Sequence, residues 1–318
     1  MLTRDEVVWG YRYILGRDPE NEDVVSKTAV AMGTYLQFRS ELLRSLEFER
    51  TNRSFSRTCW VAAPVFSGKR LLWLDLSDRY VSLGCLQDSY ERPESDFVKA
   101  NLQQGDIFVD VGANIGWFTM LATTLIGQSG KVHAFEPRKS LSEKLNDSVV
   151  LNHCEAIVSV YDMGLSDENK EEVIMWEKGT DNAGSASFAM GDTSDNTIKE
   201  SIVVKRLDDL ALPRVDFIKI DVEGAEMLAL RGGEMTLKNS RPIVLSEVLP
   251  SQLERVSKVS AADYFGFFRN LGYRSFIIDE KDLGREVSEF PVDLNKPLVN
   301  IAFVPQERKD VRFKIEES

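Results

Sequence analysis

A glycine-bearing turn offers the first chemistry in this sequence, within the segment VDVGANIGWFT at residues 109–119. The apolar run that ends at Val111 predicts a buried strand, and helical spacing resumes after Gly116. A strand, a tight turn and a helix start bring backbone N–H groups to face a ligand, and glycine lets the backbone approach it closely. The predicted cofactor contacts in this segment are Asp110, Gly112, Ala113, Asn114, Gly116 and Phe118.

The carboxylate of Asp110 narrows the choice of cofactor. The segment reads D-x-G-A-N-x-G and lacks the G-x-G-x-x-G pattern that is typical of dinucleotide-binding turns. A carboxylate two residues before the first glycine suits a ligand with a cationic group better than a pyrophosphate. S-adenosylmethionine carries a sulfonium and an ammonium and has no phosphate, so it is the predicted cofactor. An NAD-dependent oxidoreductase is the alternative.

Acidic side chains after the next two predicted strands extend this site. Glu136 follows the strand predicted at Val132–Phe135, where an acidic residue commonly binds the ribose hydroxyls. A carboxylate accepts hydrogen bonds from both hydroxyls of a vicinal diol, so Glu136 is predicted to hold the sugar. Asp162 follows the third strand and is predicted to accept from the adenine amino group, with Met163 packed on the ring.

The catalytic candidates follow the fourth and fifth predicted strands. Asp221 and Glu223 come after one, and Glu247 ends the other. Ligands in open α/β sheets bind outside the carboxyl ends of the strands, so these groups converge. Methyl transfer to a hydroxyl needs in-line alignment and an acceptor for the proton. We therefore predict Asp221 first, followed by Glu223, Glu247 and Lys219.

Two modes of activating the hydroxyl stay open. The only histidines, His133 and His153, lie within a strand and after a helix and are predicted to be structural. A carboxylate base would need a pKa raised by burial beside other carboxylates. Alternatively, Asp221 and Glu247 would hold a divalent cation, Mg²⁺ or Mn²⁺, that acidifies the hydroxyl. Glu223 has a further alternative, as a carboxylate at the start of a helix.

Three motifs carry a family resemblance: VDVGANIGWFT, VHAFEP at residues 132–137 and DFIKIDVEGAE at residues 216–226. In this order they resemble the FkbM family of S-adenosylmethionine-dependent methyltransferases, over roughly residues 80–303. The resemblance implies a class I methyltransferase fold, similar to a Rossmann fold, in which a seven-stranded sheet has an antiparallel last strand. It also implies methylation of a hydroxyl on a sugar, a glycan or a related small molecule.

The same resemblance implies roles outside the three motifs. The pair Tyr90–Glu91 matches a family feature, and Glu91 would bind the cofactor ammonium or position the substrate. An alternative for Glu91 is a carboxylate that is favoured by a helix dipole. Asn182, Gly184 and Ser185 would lie near the substrate, in a polar loop that could act as a lid.

From Asp106 onward, strand and helix patterns alternate, which argues for a doubly wound, mainly parallel α/β sheet. The predicted strands are Ile107–Val111, Val132–Phe135, Ile157–Tyr161, Phe217–Ile220, Ile243–Glu247, Ser275–Ile278 and Asn300–Val304. The predicted helices are Trp117–Ile126, Leu141–Leu151, Ala225–Arg231 and Ala262–Leu271. Further strands are predicted at Val173–Trp176 and Ile202–Arg206.

The chain before the sheet divides into two parts. Residues 1–55 form a helical module with two amphipathic helices, one around residues 7–15 and one around residues 35–46. This module resembles one found beside glycan-processing enzymes. Residues 56–318 form the methyltransferase-like domain, with its cofactor-binding core at about 100–305. It opens with a hairpin, Trp60–Phe66 and Arg70–Leu76, and a third strand at Tyr80–Leu86.

Composition limits the partners. The chain has 318 residues and a net charge of −12, which argues against a nucleic-acid substrate. It lacks the run of about 18 apolar residues that a membrane span needs. Three widely spaced cysteines and an acidic N-terminal segment predict a cytoplasmic protein with reduced thiols. The sequence leaves the oligomeric state open, a homo-oligomer included. A catalytically inactive, partner-binding relative is the non-enzyme alternative.

Overall fold

The computed structural model describes residues 2–45, 47, 60–78, 80–177, 187–188, 197–291 and 297–313. Within these ranges no helix is long and apolar enough to cross a membrane. The described cysteines, Cys85 and Cys154, are free thiols. Asn182, Gly184 and Ser185 lie outside the described residues, so their placement near the substrate stays a prediction.

Three helices lie in the described residues of the N-terminal part, and a side-chain cap starts each of them: α1 (Arg4–Gly10), α2 (Glu22–Ala31) and α3 (Tyr35–Arg44). A π-helical turn follows α1 and ends at Gly16. These elements share a small core that includes Val7, Val25 and Phe38. The two predicted helices are confirmed. The sequence analysis did not include α2, because Val25 is its only buried residue and its apolar pattern is short.

A hairpin and a short helix precede the main sheet. Strands β1 (Trp60–Val65) and β2 (Arg70–Asp75) pair antiparallel, as predicted. The third strand predicted at residues 80–86 is wrong, because Val81–Leu86 forms helix α4. The Asp78 carboxylate accepts the N–H groups of Tyr80 and Val81 at the start of this helix. Such a side-chain bond competes with a strand and favours a helix start.

Among the remaining described strands and helices, those at residues 107–161 and 217–277 alternate as predicted. The strands are β3 (Ile107–Val111), β4 (Lys131–Phe135), β5 (Val158–Tyr161), β6 (Gly164–Leu165), β7 (Lys170–Glu177), β8 (Ser187–Phe188), β9 (Thr197–Lys205), β10 (Phe217–Ile220), β11 (Ile243–Val248), β12 (Tyr273–Ile277), β13 (Glu286–Val287) and β14 (Val299–Pro305). The helices are α5 (Arg92–Asn101), α6 (Trp117–Thr123), α7 (Lys139–Leu151), α8 (Glu226–Gly232), α9 (Glu234–Ser240), α10 (Pro250–Val256) and α11 (Ala261–Asn270).

The main sheet has the order β13-β12-β14-β11-β10-β3-β4-β5. Strands β11, β10, β3, β4 and β5 are parallel, and β14 is antiparallel to both of its neighbours. This order confirms the doubly wound, Rossmann-like class I methyltransferase fold and its antiparallel last strand. The sheet has eight strands rather than seven, because the two-residue strand β13 extends one edge.

The strand order reverses between β3 and β10, which lie side by side at the centre of the sheet. At such a switch point the two halves of the fold diverge and leave a crevice for a ligand. Lys219 on β10 lies in register with Asp110 on β3. Side chains at paired positions point to the same face, so this register brings two predicted site residues together.

A second sheet with the order β6-β9-β7-β8 is inserted between β5 and β10. Strands β7 and β9 pair antiparallel and confirm the two strands predicted around the polar loop. One predicted helix, Trp117–Ile126, is shorter in the structure and ends at Thr123. There the hydroxyls of Thr123 and Thr124 bond back to backbone carbonyls one turn earlier.

Candidate active site

A cavity of about 320 Å³ opens at the carboxyl ends of the central strands. Its size falls at the lower end of the range for small-molecule sites. The predicted site residues that line it are Glu91, Asp110, Gly112, Ala113, Asn114, Phe118, Glu136, Lys219, Asp221, Glu223 and Glu247. Three other predicted residues, Gly116, Asp162 and Met163, are not part of its wall.

The glycine turn directs its N–H groups into the protein. Those of Gly112 and Ala113 both donate to the carbonyl oxygen of Phe135, at 3.0 Å. The N–H of Asn114 donates to Glu136, and that of Ile115 to the Asn114 side chain, each at 2.8 Å. The prediction that these groups face a ligand is therefore wrong, because the end of β4 lies close enough to accept them.

Glycine at position 112 is required by a close contact within the fold. Gly112 has φ 80°, and a Cβ built on it would lie 2.0 Å from the carbonyl oxygen of Asp221. Gly116 has φ 96°, and its Cβ would lie 2.2 Å from Leu145 on α7. Gly116 therefore allows α6 and α7 to pack closely, which explains why it is absent from the cavity wall.

Glu136 is buried beside the glycine turn and is held by two backbone groups. Its Oε2 accepts from the N–H of Asn114 at 2.8 Å, and its Oε1 from the N–H of Arg138 at 2.9 Å. Each oxygen keeps a further lone pair, so the carboxylate can accept from two ligand hydroxyls. Burial raises the pKa of Glu136 to about 7, although both N–H bonds favour the ionised form.

Asp110 lies at the end of β3 and is fully enclosed. The hydroxyl of Thr119, on the first turn of α6, donates to its Oδ2 at 2.6 Å. Burial raises the pKa of Asp110 to about 6. Sequence analysis did not identify Thr119, since a threonine within an apolar helix carries no distinctive pattern.

Lys219 places a buried ammonium among carboxylates. Its side chain is 3% exposed, and its Nζ lies 3.3 Å from Asp221 Oδ2 and 3.8 Å from Glu91 Oε2. Nζ also lies over the Phe118 ring, 5.1 Å from its centroid. Burial alone would lower the pKa of Lys219. The electrostatic effect of four nearby acidic groups outweighs burial and raises this pKa well above its ordinary value; the groups are Asp221, Glu91, Glu247 and Asp110. The ammonium therefore stays charged at neutral pH.

The carboxylates around Lys219 differ in protonation. Burial, reinforced by the charge of Asp221, raises the pKa of Glu247 to about 9, so this group is protonated at neutral pH. Burial also raises the pKa of Glu223, whose Oε2 accepts from Gln252 Nε2 at 2.6 Å. Asp221 is 26% exposed and pairs with the ammonium. Asp221 therefore accepts from the ammonium, and the protonated Glu247 nearby can donate a hydrogen bond.

Three non-glycine residues of the cavity wall have a positive φ: Glu91 at 41°, Asn114 at 53° and Glu223 at 53°. Asparagine tolerates this region, whereas for glutamate the conformation costs about 1–3 kcal/mol. Glu91 precedes α5 but makes no side-chain capping bond, and its Oε2 is buried without a hydrogen-bond partner. Its carboxylate turns to Lys219, which does not support the helix-dipole alternative.

The remaining predicted residues have other surroundings. The Asp162 carboxylate accepts from the hydroxyl of Ser142 at 3.0 Å, and Met163 packs against the core cluster that includes Phe135 and Leu165. Their contact with adenine stays a prediction. Sequence analysis also missed the apolar wall, which Ile174 and Ile202 of the second sheet help to form. Only the folding of the inserted strands brings these two residues to the site.

A metal site is not apparent in the described part of the chain. No group of three histidine, cysteine, aspartate or glutamate side chains there is arranged to hold an ion. The candidate ligands Asp221 and Glu247 instead share the positive charge of Lys219. These two side chains therefore suit the ammonium of Lys219 better than a divalent cation.

About half of this chain matches a known family, and parts of it are similar to several known proteins. A sequence model of the methyltransferase FkbM domain matches residues 110–275. Methyltransferase sdnD of Sordaria araneosa is 28% identical, over 42% of this chain and 62% of its own. The AMB antimetabolite synthetase AmbE of Pseudomonas aeruginosa is 26% identical, over 58% of this chain and 10% of its own. The chain thus spans less than two thirds of either curated relative. A solved structure of methyltransferase FkbM from Methylobacillus flagellatus is 14% identical, with a TM-score of 0.41, over 71% of this chain and 55% of its own.

Proposed function

This chain belongs to the FkbM methyltransferase family, and we propose that it is an S-adenosylmethionine-dependent O-methyltransferase. Its acceptor is a hydroxyl of a sugar, a glycan or a related small molecule. One observation carries the proposal: Glu136, which suits a ribose diol, and Asp221, which suits an acceptor hydroxyl, line the same cavity.

The described residues suit this cofactor. Glu136 has lone pairs for the ribose hydroxyls, and Glu91 has a buried oxygen that lacks a hydrogen donor. Asp110 adds negative charge where a cationic ligand would be stabilised. When bound, S-adenosylmethionine would supply a methyl group on a sulfonium. A nucleophile takes this methyl group, and S-adenosylhomocysteine leaves.

The residues around Lys219 suit the activation of a hydroxyl. Asp221 accepts the proton of the acceptor hydroxyl at a carboxylate oxygen. Lys219 holds that carboxylate at 3.3 Å, which restricts its rotation. Glu247 is protonated at neutral pH and can donate a hydrogen bond that orients the acceptor oxygen. Alignment of the oxygen with the methyl group then provides much of the rate.

Base and metal ligand are both predicted roles for Asp221, and its ion pair with Lys219 weighs against the metal ligand. A carboxylate that is already paired with an ammonium has less attraction for a divalent cation. The glycine turn argues against the NAD-dependent alternative. Its N–H groups form hydrogen bonds within the protein, so they are not available to bind a pyrophosphate.

Three measurements on the full chain test this function. Isothermal titration should show binding of S-adenosylhomocysteine and none of NAD⁺. Neutral sugars and glycans should accept radiolabelled methyl groups from S-adenosylmethionine, while the same acceptors already methylated should not. Prior treatment with EDTA should leave the rate unchanged.

Each result that would contradict the proposed function points to a different alternative. Binding of NAD⁺ without S-adenosylhomocysteine would overturn the cofactor. Loss of transfer in EDTA, restored by Mg²⁺ or Mn²⁺, would make Asp221 and Glu247 metal ligands. Binding of S-adenosylhomocysteine without transfer to any acceptor would favour the inactive, partner-binding alternative.

A further inference from the structure

Glu226 is a buried carboxylate that the proposed chemistry does not use. It is 3% exposed, it begins α8, and it is not part of the cavity wall. Its Oε1 accepts two backbone N–H groups, those of Val222 and Gly224, each at 3.1 Å. These two groups lie on either side of Glu223. The carboxylate therefore binds the backbone of the loop that joins β10 to α8.

This loop carries the two acidic candidates of the acceptor site. Asp221 is its first residue, and its N–H donates to the carbonyl of Val111 at 3.0 Å. Its own carbonyl packs against Gly112. Val111 and Gly112 thus hold Asp221 on one side, and the bond from Val222 to Glu226 fixes the following peptide on the other.

A second element closes over the same loop. A Cβ on Gly224 would lie 2.5 Å from the carbonyl oxygen of Gln252, and the hydroxyl of Ser257 donates to the Gly224 carbonyl. Gln252 also donates to the Glu223 side chain. The loop is therefore held between Glu226 beneath it and the α10 region above it, with Glu223 kept at a positive φ.

We propose that Glu226 is a positioning residue for methyl transfer, which acts by fixing the backbone that aims Asp221 at the acceptor. It touches neither the cavity nor Asp221 directly. Its two N–H partners would be left without acceptors if it were removed, and unsatisfied buried donors cost about 1–3 kcal/mol. The loop would relieve this cost by moving, and Asp221 would move with it. The catalytic consequence rests on the proposed function, whereas the effect on the loop does not.

Three variants and one control test this role. Glu226→Ala removes the acceptor. Glu226→Asp keeps the charge but is one methylene too short to reach both N–H groups. Glu226→Gln keeps a carbonyl oxygen that can accept both bonds. The matched control is Asp208→Ala, because the Asp208 carboxylate likewise accepts two backbone N–H groups, those of Met235 and Thr236, away from the cavity.

Crystal structures of the variants give a readout that is independent of activity. In Glu226→Ala and Glu226→Asp the Asp221–Lys219 pair should separate beyond 4 Å, as measured against 3.3 Å here, while Glu226→Gln and Asp208→Ala keep it. In the transfer assay, kcat should fall about 10-fold or more in Glu226→Ala and Glu226→Asp, while their affinity for S-adenosylhomocysteine stays unchanged. Glu226→Gln should keep a kcat close to that of the wild type. Asp208→Ala should lower the melting temperature without lowering kcat per folded molecule.

An intact Asp221–Lys219 pair in the alanine and aspartate variants would overturn the proposal. So would a loss of kcat that Asp208→Ala shares. If Glu226→Ala does not fold, the contrast between the aspartate and glutamine variants decides. If the wild type transfers no methyl group, the proposed function fails while the crystal structures still decide the role of Glu226 in the loop.

Discussion

The carbonyl oxygen of Asp221 lies against the Cα of Gly112, so close that a Cβ there would approach it to 2.0 Å. The glycine turn and the loop that joins β10 to α8 are therefore in direct backbone contact. Because one residue follows β3 and the other follows β10, this contact joins the ends of the two central strands at the cavity.

The first prediction concerns this contact. Gly112→Ala should destabilise the fold, since the added methyl group meets backbone atoms and φ is 80°. Gly68→Ala is the matched control, because Gly68 has φ 82° with nothing within 4 Å of the added Cβ. Chemical denaturation should show a loss of about 1–2 kcal/mol for the control, and a further 1–3 kcal/mol for Gly112→Ala. Equal losses would show that the contact is unimportant.

The second prediction concerns Asp221. Asp221→Asn keeps the size of the side chain but removes its charge. Affinity for S-adenosylhomocysteine should stay within about twofold, while the transfer rate should fall by about 10²-fold, as for the loss of a positioned base. Asp263→Asn, in the exposed cap of α11, should leave both quantities unchanged. Full transfer by Asp221→Asn would remove this residue from the base and metal roles alike.

The third prediction concerns the buried ammonium. Lys219→Met keeps the length of the side chain but leaves Asp221 and Glu91 without their cation. Removal of one partner of a buried pair costs about 3–5 kcal/mol, which a denaturation curve would show. The double variant Lys219→Met with Asp221→Asn should recover part of this loss, because it removes an unpaired charge. Lys238→Met, which breaks an exposed pair with Glu234, should cost less than about 1 kcal/mol. A similar cost for both lysines would contradict the role of Lys219.

The fourth prediction is a pH dependence of cofactor binding. The pKa of Glu136 is about 7 in the folded protein, raised from its ordinary value, so the ionised form grows as pH rises through 7. Ribose hydroxyls donate to that ionised form. Affinity for S-adenosylhomocysteine should therefore be about tenfold weaker at pH 6 than at pH 8, in proportion to the ionised fraction.

Two variants separate Glu136 from groups that titrate nearby. Glu136→Gln should bind S-adenosylhomocysteine weakly and lose most of the pH dependence of binding. Glu94→Gln should keep that pH dependence, because Glu94 also has a pKa of about 7 but lies outside the cavity wall. The unliganded protein should show the opposite trend. A raised carboxyl pKa contributes stability below pH 4.5 that is lost as pH rises through 7, so its melting temperature should fall. A flat binding profile for the wild type would contradict the ribose role.

The sequence predicts the central strands well because they are apolar and bounded by turn residues. Phe217–Ile220 is predicted without error. Predicted site residues next to these strands line one cavity for the same reason, and their roles stay predictions. Val81–Leu86 is predicted wrongly, because a short apolar run fits a strand or a helix equally until the Asp78 cap is known.

Contacts between distant segments account for what the sequence did not show. Two N–H groups of the glycine turn, those of Gly112 and Ala113, donate to the carbonyl of Phe135, which is 23 residues further along than Gly112, and no local pattern predicts that contact. The motif DVEGAE includes Glu226, but its buried position and its two backbone partners appear only in three dimensions. Ile202 reaches the cavity, and Thr119 reaches Asp110, through tertiary packing alone.

The positive φ of two glutamates, Glu91 and Glu223, has a consequence for how related sequences should vary. Glycine relieves the backbone at both positions, so only a need for the carboxylates would favour glutamate there. Among relatives of this chain, glycine at both positions would therefore mark lineages that kept the fold after the activity was abandoned.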